Sequence, residues 1–273
     1  MTIEEIIRLA LAEDIGTGDI TTGFLDLEAV RSTAYMVAKA EGIIAGAEIA
    51  QKVFKAVDPE LKVTLYKKDG DSVKPTDEIM RIEGKASSIL MGERTALNFI
   101  QRMSGIATRT SSIVNALDGS PTRLLDTRKT TPLLRELEKQ AVKIGGGYNH
   151  RFGLYDMILL KENHIRAAGG ITEAVRRVKL HNTSYKIECE VTNLTELEEA
   201  VNAGVDRVML DNMKPKDIRS AVKKFGKSVE LEVSGGITEE SAAILAKAGV
   251  HYISSGAMTH SYKSLDISLL FKE

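Results

Sequence analysis

Cysteine occurs once in these 273 residues, at Cys189, so no internal disulfide can form, as expected in a reducing compartment. An excess of either charge is missing as well. Lys+Arg 37 against Asp+Glu 38 leaves a formal net charge of −1, and no global field draws nucleic acid or an anionic membrane. No apolar run approaches the roughly 20 residues that a membrane span requires. The opening segment to Asp14 is acidic and amphipathic, with Ile3, Ile6, Ile7, Ala10 and Leu11 at helical spacing. It lacks the basic start and apolar run of a signal peptide. The expectation is a cytoplasmic protein with no nucleic-acid or membrane partner. Zinc-type cysteine/histidine spacing and a Gly-x-Ser-x-Gly nucleophile elbow are both absent.

What is present divides into two rhythms. Up to about Gly84 the pattern gives a helix, the loop Gly16-Thr17-Gly18-Asp19, a strand at 33–40, and a helix at 47–57. Strands at 62–66 and 78–83 then flank the turn Lys68-Asp69-Gly70-Asp71. Strands in runs with helices beside them read as an α+β sandwich. A long helical stretch follows from Ala86 to about Leu117, with Ser104-Gly105 as a candidate break.

After Leu124 short apolar strands alternate with amphipathic helices. The strands are expected at 124–127, 155–161, 185–191, 207–211, 229–234 and 252–255, with helices such as 172–180, 194–203, 215–225 and 239–248 between them. Acidic residues follow Thr195 and Thr238, as at helix starts, and Gly204, Gly226 and Gly249 stand where helices should stop. About six βα units with apolar strands imply a parallel sheet buried on both faces. Functional-looking residues end nearly every strand, which favours closure into a TIM-like α/β barrel over an open sheet; about 150 residues is short of the usual eight units. Aromatic content of only 5% does not oppose it. The domains are expected at 1–105 and 106–264, with the tail 265–273 a candidate to rejoin the first.

The strand ends carry the chemistry. In order they offer Arg128 and Lys129, then Lys161, then Glu188 and Glu190, then Asp211 and Asn212. Ser234-Gly235-Gly236 and Ser254-Ser255-Gly256 come last. Gly145-Gly146-Gly147-Tyr148-Asn149-His150-Arg151 lies between the first two strands. The cations suit an anionic substrate through charge-assisted hydrogen bonds, and the arginines can fork onto carboxylates. The acids suit Mg²⁺ or sugar hydroxyls, and the glycine turns suit a phosphate. Glu188 and Glu190 are two apart and share one strand face, where two interior carboxylates are costly without a cation or a proton. Cys189 alternates with them and should face the helices as a small hydrophobe. Lys161 could also merely snorkel at a rim.

Together these residues resemble the quinolinate phosphoribosyltransferases, the decarboxylating nicotinate-nucleotide pyrophosphorylases. The resemblance rests on Thr127-Arg128-Lys129-Thr130-x-Pro132, the Gly-Gly-Gly-x-Asn-His-Arg stretch at 145–151, Lys161-x-Asn163-His164, and Glu188-x-Glu190-Val191. Leu210-Asp211-Asn212, Ser234-Gly235-Gly236-Ile237 and Thr259-His260-Ser261 agree in order and spacing. So do Glu13-Asp14-Ile15-Gly16-x-Gly18-Asp19-Ile20-Thr21 and Glu93-Arg94-Thr95-Ala96-Leu97-Asn98, so that essentially the whole chain is covered.

The resemblance implies an open α/β sandwich domain beside an α/β barrel, in a homodimer whose sites each take an arginine from the partner. It implies transfer of phosphoribosyl from phosphoribosyl pyrophosphate to quinolinate with loss of carbon dioxide, using Mg²⁺. Arg128, Lys129, His150, Arg151 and Lys161, with Arg94 from the second chain, would then face the two carboxylates of quinolinate. Glu190 and Asp211 would hold Mg²⁺ and the ribose hydroxyls. Lys161, Ser234, Gly235, Gly236, Ser255, Gly256 and His260 would receive the phosphoribosyl pyrophosphate. Lys129, Lys161, Glu190 and Asp211 would form the catalytic set. The alternatives are a paralogous phosphoribosyltransferase for another aromatic acid, a Schiff-base aldolase using Lys161, and a non-catalytic sensor of a phosphate ligand.

Overall fold

The computed structural model describes residues 1–181 and 184–272; Glu273, the end of the expected tail, lies outside the described residues. The chain opens with helices α1 (Ile3–Ile15) and α2 (Ile20–Phe24), strands β1 (Arg31–Ala38) and β2 (Gly42–Ile43), and helix α3 (Ala47–Val57). Strands β3 (Lys62–Leu65), β4 (Ser72–Val73) and β5 (Glu78–Lys85) lead into the long helix α4 (Ala86–Ala116). Then come β6 (Arg123–Leu125), α5 (Arg135–Ile144), β7 (Ile158–Leu160), α6 (Glu162–Ala168), α7 (Ile171–Leu180) and β8 (Ile187–Val191). The order ends with α8 (Leu194–Ala203), β9 (Arg207–Asp211), α9 (Pro215–Phe225), β10 (Glu230–Ser234), α10 (Glu239–Ala248), β11 (Tyr252–Ser254), α11 (Ala257–His260) and β12 (Ile267–Phe271).

Two compact units result. One comprises Met1–Ser111, Thr131–Gly146 and the segment from Tyr262 onward; the other comprises Ser112–Thr130 and Gly147–Ser261. The first unit is built on an antiparallel sheet in the order β12-β1-β5-β3, and the tail is its edge strand, with Ala34 opposite Phe271 and Ala38 opposite Ile267. Inward residues of β1 alternate (Ala34, Met36, Ala38), each fully buried, as a sheet with one wet face requires. Helix α1 starts on a reciprocal cap: Glu5 N–H donates to Thr2 Oγ1 at 3.2 Å, and Thr2 N–H to Glu5 Oε2 at 2.7 Å.

Three local expectations change. Strand β1 lies two residues earlier than the 33–40 anticipated. Helix α4 runs unbroken through Ser104-Gly105. Gly105 serves there as a site of close approach, since a Cβ would collide with the Lys263 carbonyl oxygen. Residues 131–146, inside the 106–264 expected for the barrel domain, carry helix α5 and fall in the first unit. Arg102 of α4 binds the fully buried Glu138 at 2.7 Å and reaches Thr131 Oγ1, while Leu137, Ala141 and Val142 are buried.

The second unit holds six parallel strands in the order β6-β11-β10-β9-β8-β7. The last strand in sequence lies beside the first, the signature of a sheet wound round into a barrel. Among the described residues the two outer strands, β6 and β7, do not pair directly. Tyr148 bonds along β6 instead, donating to the Leu124 carbonyl at 2.8 Å and accepting from Asp126 N–H at 3.0 Å. Outward positions are apolar and buried (Cys189, Val191, Val208, Leu210, Leu231, Val233), so the helices cover a dry face. Asn193 and Thr238 cap α8 and α10, and Gly204 and Gly249 close them in the left-handed conformation; Gly226 stays right-handed at φ −63°. Strand β7 is shorter than the 155–161 anticipated, because Asp156 turns back to accept from Gly153 N–H at 2.9 Å and from Phe152 N–H. Among the described residues no helix is long and apolar enough to cross a membrane.

The Gly105→Ala substitution is expected to destabilise the protein by about 1–3 kcal/mol, the usual cost of forcing atoms into a filled contact. Urea denaturation followed by circular dichroism measures it, and an unchanged midpoint would show that α4 and the 263–264 segment can separate freely.

Candidate active site

Alternation along each barrel strand sends every second side chain inward, and the register decides the height at which it arrives. Ser234 stands level with Asp211 on one side and Ser254 on the other. Glu190 stands level with Met209. At the carboxyl ends of the strands these positions line a cavity of about 630 Å³. Arg128 and Lys129 enter it after β6, His150 and Arg151 from the segment following Tyr148, and Lys161 after β7. Glu190, Asp211, Asn212, Ser234, Gly235 and Gly236 complete the opposite wall.

Lys161 Nζ lies 3.0 Å from Glu190 Oε2, the contact at which the cationic half of the rim meets the acidic half. Lys129 N–H donates to Thr127 Oγ1 at 3.0 Å, which tightens the turn that presents both cations. Asn212 sits at φ 51°, donates from Nδ2 to Asp211 Oδ2 at 3.0 Å, and donates its backbone N–H to the Ser234 carbonyl at 3.0 Å. Its amide fills the place where a side chain of residue 235 would go: Gly235 has φ +104°, and a Cβ there would overlap Asn212 Oδ1. The turn after β10 therefore keeps its backbone bare beside Asp211.

Below the cavity the interior is charged. Glu188 and Glu232 are fully buried, and His150 Nε2 lies 3.0 Å from Glu188 Oε2 and 3.6 Å from Glu232 Oε2. Arg207 Nη1 is 3.2 Å from Glu232 Oε2, its Nε and Nη2 bind Glu230 Oε2 at 3.1 Å, and its guanidinium lies 3.9 Å over the Tyr252 ring. Burial pushes the Glu188 carboxyl up to about 7 against the pull of Arg207. Burial and the neighbouring Glu188 charge push Glu232 up to about 7 as well. Burial and the adjacent Arg128 charge lower the pKa of Arg151. Cys189 faces the helices, fully buried, its thiol pushed up to about 12 by burial.

Two donor sets could be considered for a metal. Among the described residues His150, Glu188 and Glu232 are the group whose ligand atoms all lie within 4.8 Å of one another, but Arg207 already supplies the cation there. Glu190 and Asp211 fit better. They are two partly exposed carboxylates on an open cavity, the donor set a hard divalent ion uses when water and substrate phosphates complete its shell.

Ten of the residues singled out in the sequence therefore meet in one cavity: Arg128, Lys129, His150, Arg151, Lys161, Glu190, Asp211, Ser234, Gly235 and Gly236. Four do not line it. Ser255 is buried and donates its backbone N–H to the Leu125 carbonyl at 3.0 Å; strand alternation puts Ser254 inward in its place. Gly256 makes room beside Lys129, whose Cδ would lie 2.8 Å from an added Cβ. His260, exposed at the end of α11, has Nδ1 2.7 Å from Ser261 Oγ. Arg94 is exposed on α4 in the first unit. Sequence reasoning missed Glu232 and Arg207. The signal was available in Glu230-Leu231-Glu232, which repeats the every-other-residue charge of Glu188-Cys189-Glu190.

Comparison with known proteins supplies independent information. The family model described as "Quinolinate phosphoribosyl transferase, N-terminal domain" matches residues 19–104, and its C-terminal counterpart matches residues 106–270. The chain is 46% identical over 270 residues to a Bacillus subtilis protein named probable nicotinate-nucleotide pyrophosphorylase [carboxylating], covering 98% of this chain and 93% of that one. A solved nicotinate-nucleotide pyrophosphorylase from Francisella tularensis superposes with a TM-score of 0.95 at 44% identity, covering 99% of this chain and 96% of that one. Another, from Ehrlichia chaffeensis, gives a TM-score of 0.96 at 37% identity, with 100% and 99% covered.

The raised Glu232 carboxyl has a consequence for stability. The folded state holds a proton that an unfolded glutamate, with a pKa near ~4.3, releases, so this contribution is full at low pH and is lost as pH rises through about 7. The melting temperature should fall between pH 5.5 and pH 8, and Glu232→Gln should flatten that fall. Scanning calorimetry at both pH values checks it; an equal or steeper fall in the variant contradicts the burial of a protonated Glu232.

Proposed function

The chain belongs to the quinolinate phosphoribosyltransferase family, and from that premise we propose that its barrel cavity joins quinolinate to phosphoribosyl pyrophosphate. Pyrophosphate and carbon dioxide leave, and nicotinate mononucleotide, a precursor of NAD, remains. The observation that carries this reading is the division of one cavity into two chemistries. Arg128, Lys129, Arg151 and Lys161 converge from the β6 and β7 side, while Glu190, Asp211 and the bare Ser234-Gly235-Gly236 turn converge from β8 to β10.

The cationic half suits the adjacent carboxylates of quinolinate, which arginine can grip with two parallel hydrogen bonds. The other half suits the sugar phosphate. As pyrophosphate departs, the ribose carbon gains positive charge, and the carboxylates of Glu190 and Asp211 stabilise it while accepting from the ribose hydroxyls. The ring nitrogen forms its bond to that carbon as the bond to pyrophosphate breaks. The pyridinium so formed withdraws electrons from the neighbouring ring carbon, so the carboxylate there leaves as carbon dioxide and a proton takes its place. Lys161, held by Glu190, places an ammonium between the two substrates, and with Lys129 it forms the cationic part of the catalytic set. Mg²⁺ held by Glu190 and Asp211 would neutralise charge on the leaving pyrophosphate. Gly256 lies beside Lys129 and His260; Gly256 and His260 would extend the phosphate-binding region at its rim, with Ser254 taking the inward place expected of Ser255.

Neither the aldolase nor the sensor reading finds support in the Bacillus subtilis, Francisella tularensis and Ehrlichia chaffeensis relatives, each named as a nicotinate-nucleotide pyrophosphorylase. A cytoplasmic location accords with the reaction's soluble, charged substrates. A two-fold homodimer is part of the proposal, with the exposed Arg94 of each chain entering its partner's cationic half. Helix α4 offers the support such an arginine needs, since Leu97, Ile100 and Met103 anchor it in the core.

Pyrophosphate release should require both phosphoribosyl pyrophosphate and quinolinate, with nicotinate failing to replace quinolinate. Arg128→Ala should lower kcat/KM by about 10-fold to 100-fold, matching the 1.5–3 kcal/mol typical of a hydrogen bond to a charged group. A coupled pyrophosphate assay decides, and equal turnover with nicotinate would shift the assignment to a paralogous transferase.

Shared sites make a complementation test available. Arg94→Ala and Lys161→Ala should each be inactive, yet after subunit exchange about a quarter of wild-type activity should return, because half the dimers are mixed and each has one intact site. Native mass spectrometry verifies the exchange. Mixed dimers no more active than the parents would remove Arg94 from the site.

A further inference from the structure

The catalytic reading leaves the carboxyls beneath the cavity without a task. Glu188 of β8 and Glu232 of β10 converge on a single ring nitrogen, His150 Nε2, at 3.0 and 3.6 Å. All three side chains are at most 5% exposed. The opposite nitrogen is engaged as well: Arg151 donates its backbone N–H to His150 Nδ1 at 2.7 Å. An acceptor nitrogen keeps its lone pair, so the ring proton resides on Nε2 and is given to the carboxyls. His150 thus lines the cavity with no N–H of its own directed at a substrate. The neighbouring Arg151 has a guanidinium there, steadied by the Met157 carbonyl at 3.3 Å.

We propose that Glu188 and Glu232 are positioning residues for recognition of the acid substrate. They lock the His150 ring, and the ring locks the Arg151 backbone from which the guanidinium reaches the substrate carboxylates. The two carboxyls divide the work. Arg207 Nη1 holds Glu232 from below at 3.2 Å, and Glu188 takes the imidazole N–H. Burying two carboxyls inside a barrel is costly, and apolar side chains of similar volume would fill the space at less cost. A charged cluster kept there is explained by what it orients. Metal-bound histidines are oriented in the same way by a carboxylate behind the ring.

The inference rests on the reading of the cavity as a quinolinate site, and its test separates the two. Glu188→Ala, which frees the ring, should raise the KM for quinolinate by roughly 10-fold or more while leaving that for phosphoribosyl pyrophosphate nearly unchanged. Glu188→Gln, whose amide oxygen still accepts from Nε2, should restore most of the loss. On a His150→Ala background the further change Glu188→Ala should add little, because the carboxylate acts through the ring. Additive losses, or a fall in active protein with both KM values unmoved, would overturn the proposal by assigning Glu188 to packing alone. Should Glu188→Ala fail to fold, the ring nitrogens of the wild-type protein decide by ¹⁵N NMR, with the signal among five histidines identified by its absence from His150→Gln. A proton on Nε2 and a lone pair on Nδ1 are expected; a proton on Nδ1 refutes the arrangement. That spectrum is independent of catalysis, so a wild-type protein inactive on quinolinate would refute the transferase reading and leave the positioning geometry to be judged on its own.

Discussion

A parallel barrel strand turns every second side chain inward, and in this chain the inward positions carry charge nearly from floor to rim. Glu188, Arg207 and Glu230 stand in register near the start of their strands, Glu190 and Glu232 one step higher, both level with Met209, and Asp211 with Ser234 at the open end. A barrel interior closed to water tolerates such a column only if each charge is matched. The matching is visible in Arg207 between two glutamates and stacked on Tyr252, in two carboxyls raised toward neutrality, and in Lys161 joined to Glu190. The rim can be strongly polar because the layer beneath it is itself polar, with one oxygen of each buried carboxyl engaged by His150 or Arg207.

The cavity's division follows from chain order. Strands β6 and β7 deliver cations and β8 and β9 deliver acids, so the order of residues along the sequence becomes a gradient across the opening. A dianionic ring and a sugar phosphate would each find the charge it needs without sharing a wall. The contact that crosses the divide, Lys161 with Glu190, lies where the two substrates would meet.

Legibility in the sequence tracked the strength of the periodic signal. Strands β9 and β10 and helices α8, α9 and α10 stand out because apolar residues repeat cleanly and Thr238, Gly204 and Gly249 punctuate them; the cap of α8 is Asn193, two residues before the Thr195 expected at its start. The boundaries of β7 were harder to read, since Leu154 and Tyr155 are apolar yet exposed, in a turn made by the Asp156 side chain. Gly105 carried a misleading signal. Glycine inside a helix reads as a break, whereas here it answers a neighbour's carbonyl that only the folded chain brings near. At the site, the strand-end residues were visible because their chemistry is out of place beside apolar runs. Glu232 and Arg207 were passed over, although Glu230-x-Glu232 repeats the alternation of Glu188-x-Glu190, because charges ahead of a strand's end resemble solvent-facing positions until their partners on other strands are known. Ser254 and Ser255 differ by one step of alternation, which sequence does not resolve at a strand's last residue.

The Asn212 amide occupying the space beside Gly235 ties together two positions just past the ends of consecutive strands. Neither can vary alone. A bulkier residue at 235 has no room while the asparagine stays, and a smaller one at 212 strips Asp211 of its donor. In any directed-evolution library aimed at a new acceptor ring, even a joint change would have to reckon with φ +104° at 235, which strains any side chain however much space residue 212 gives up.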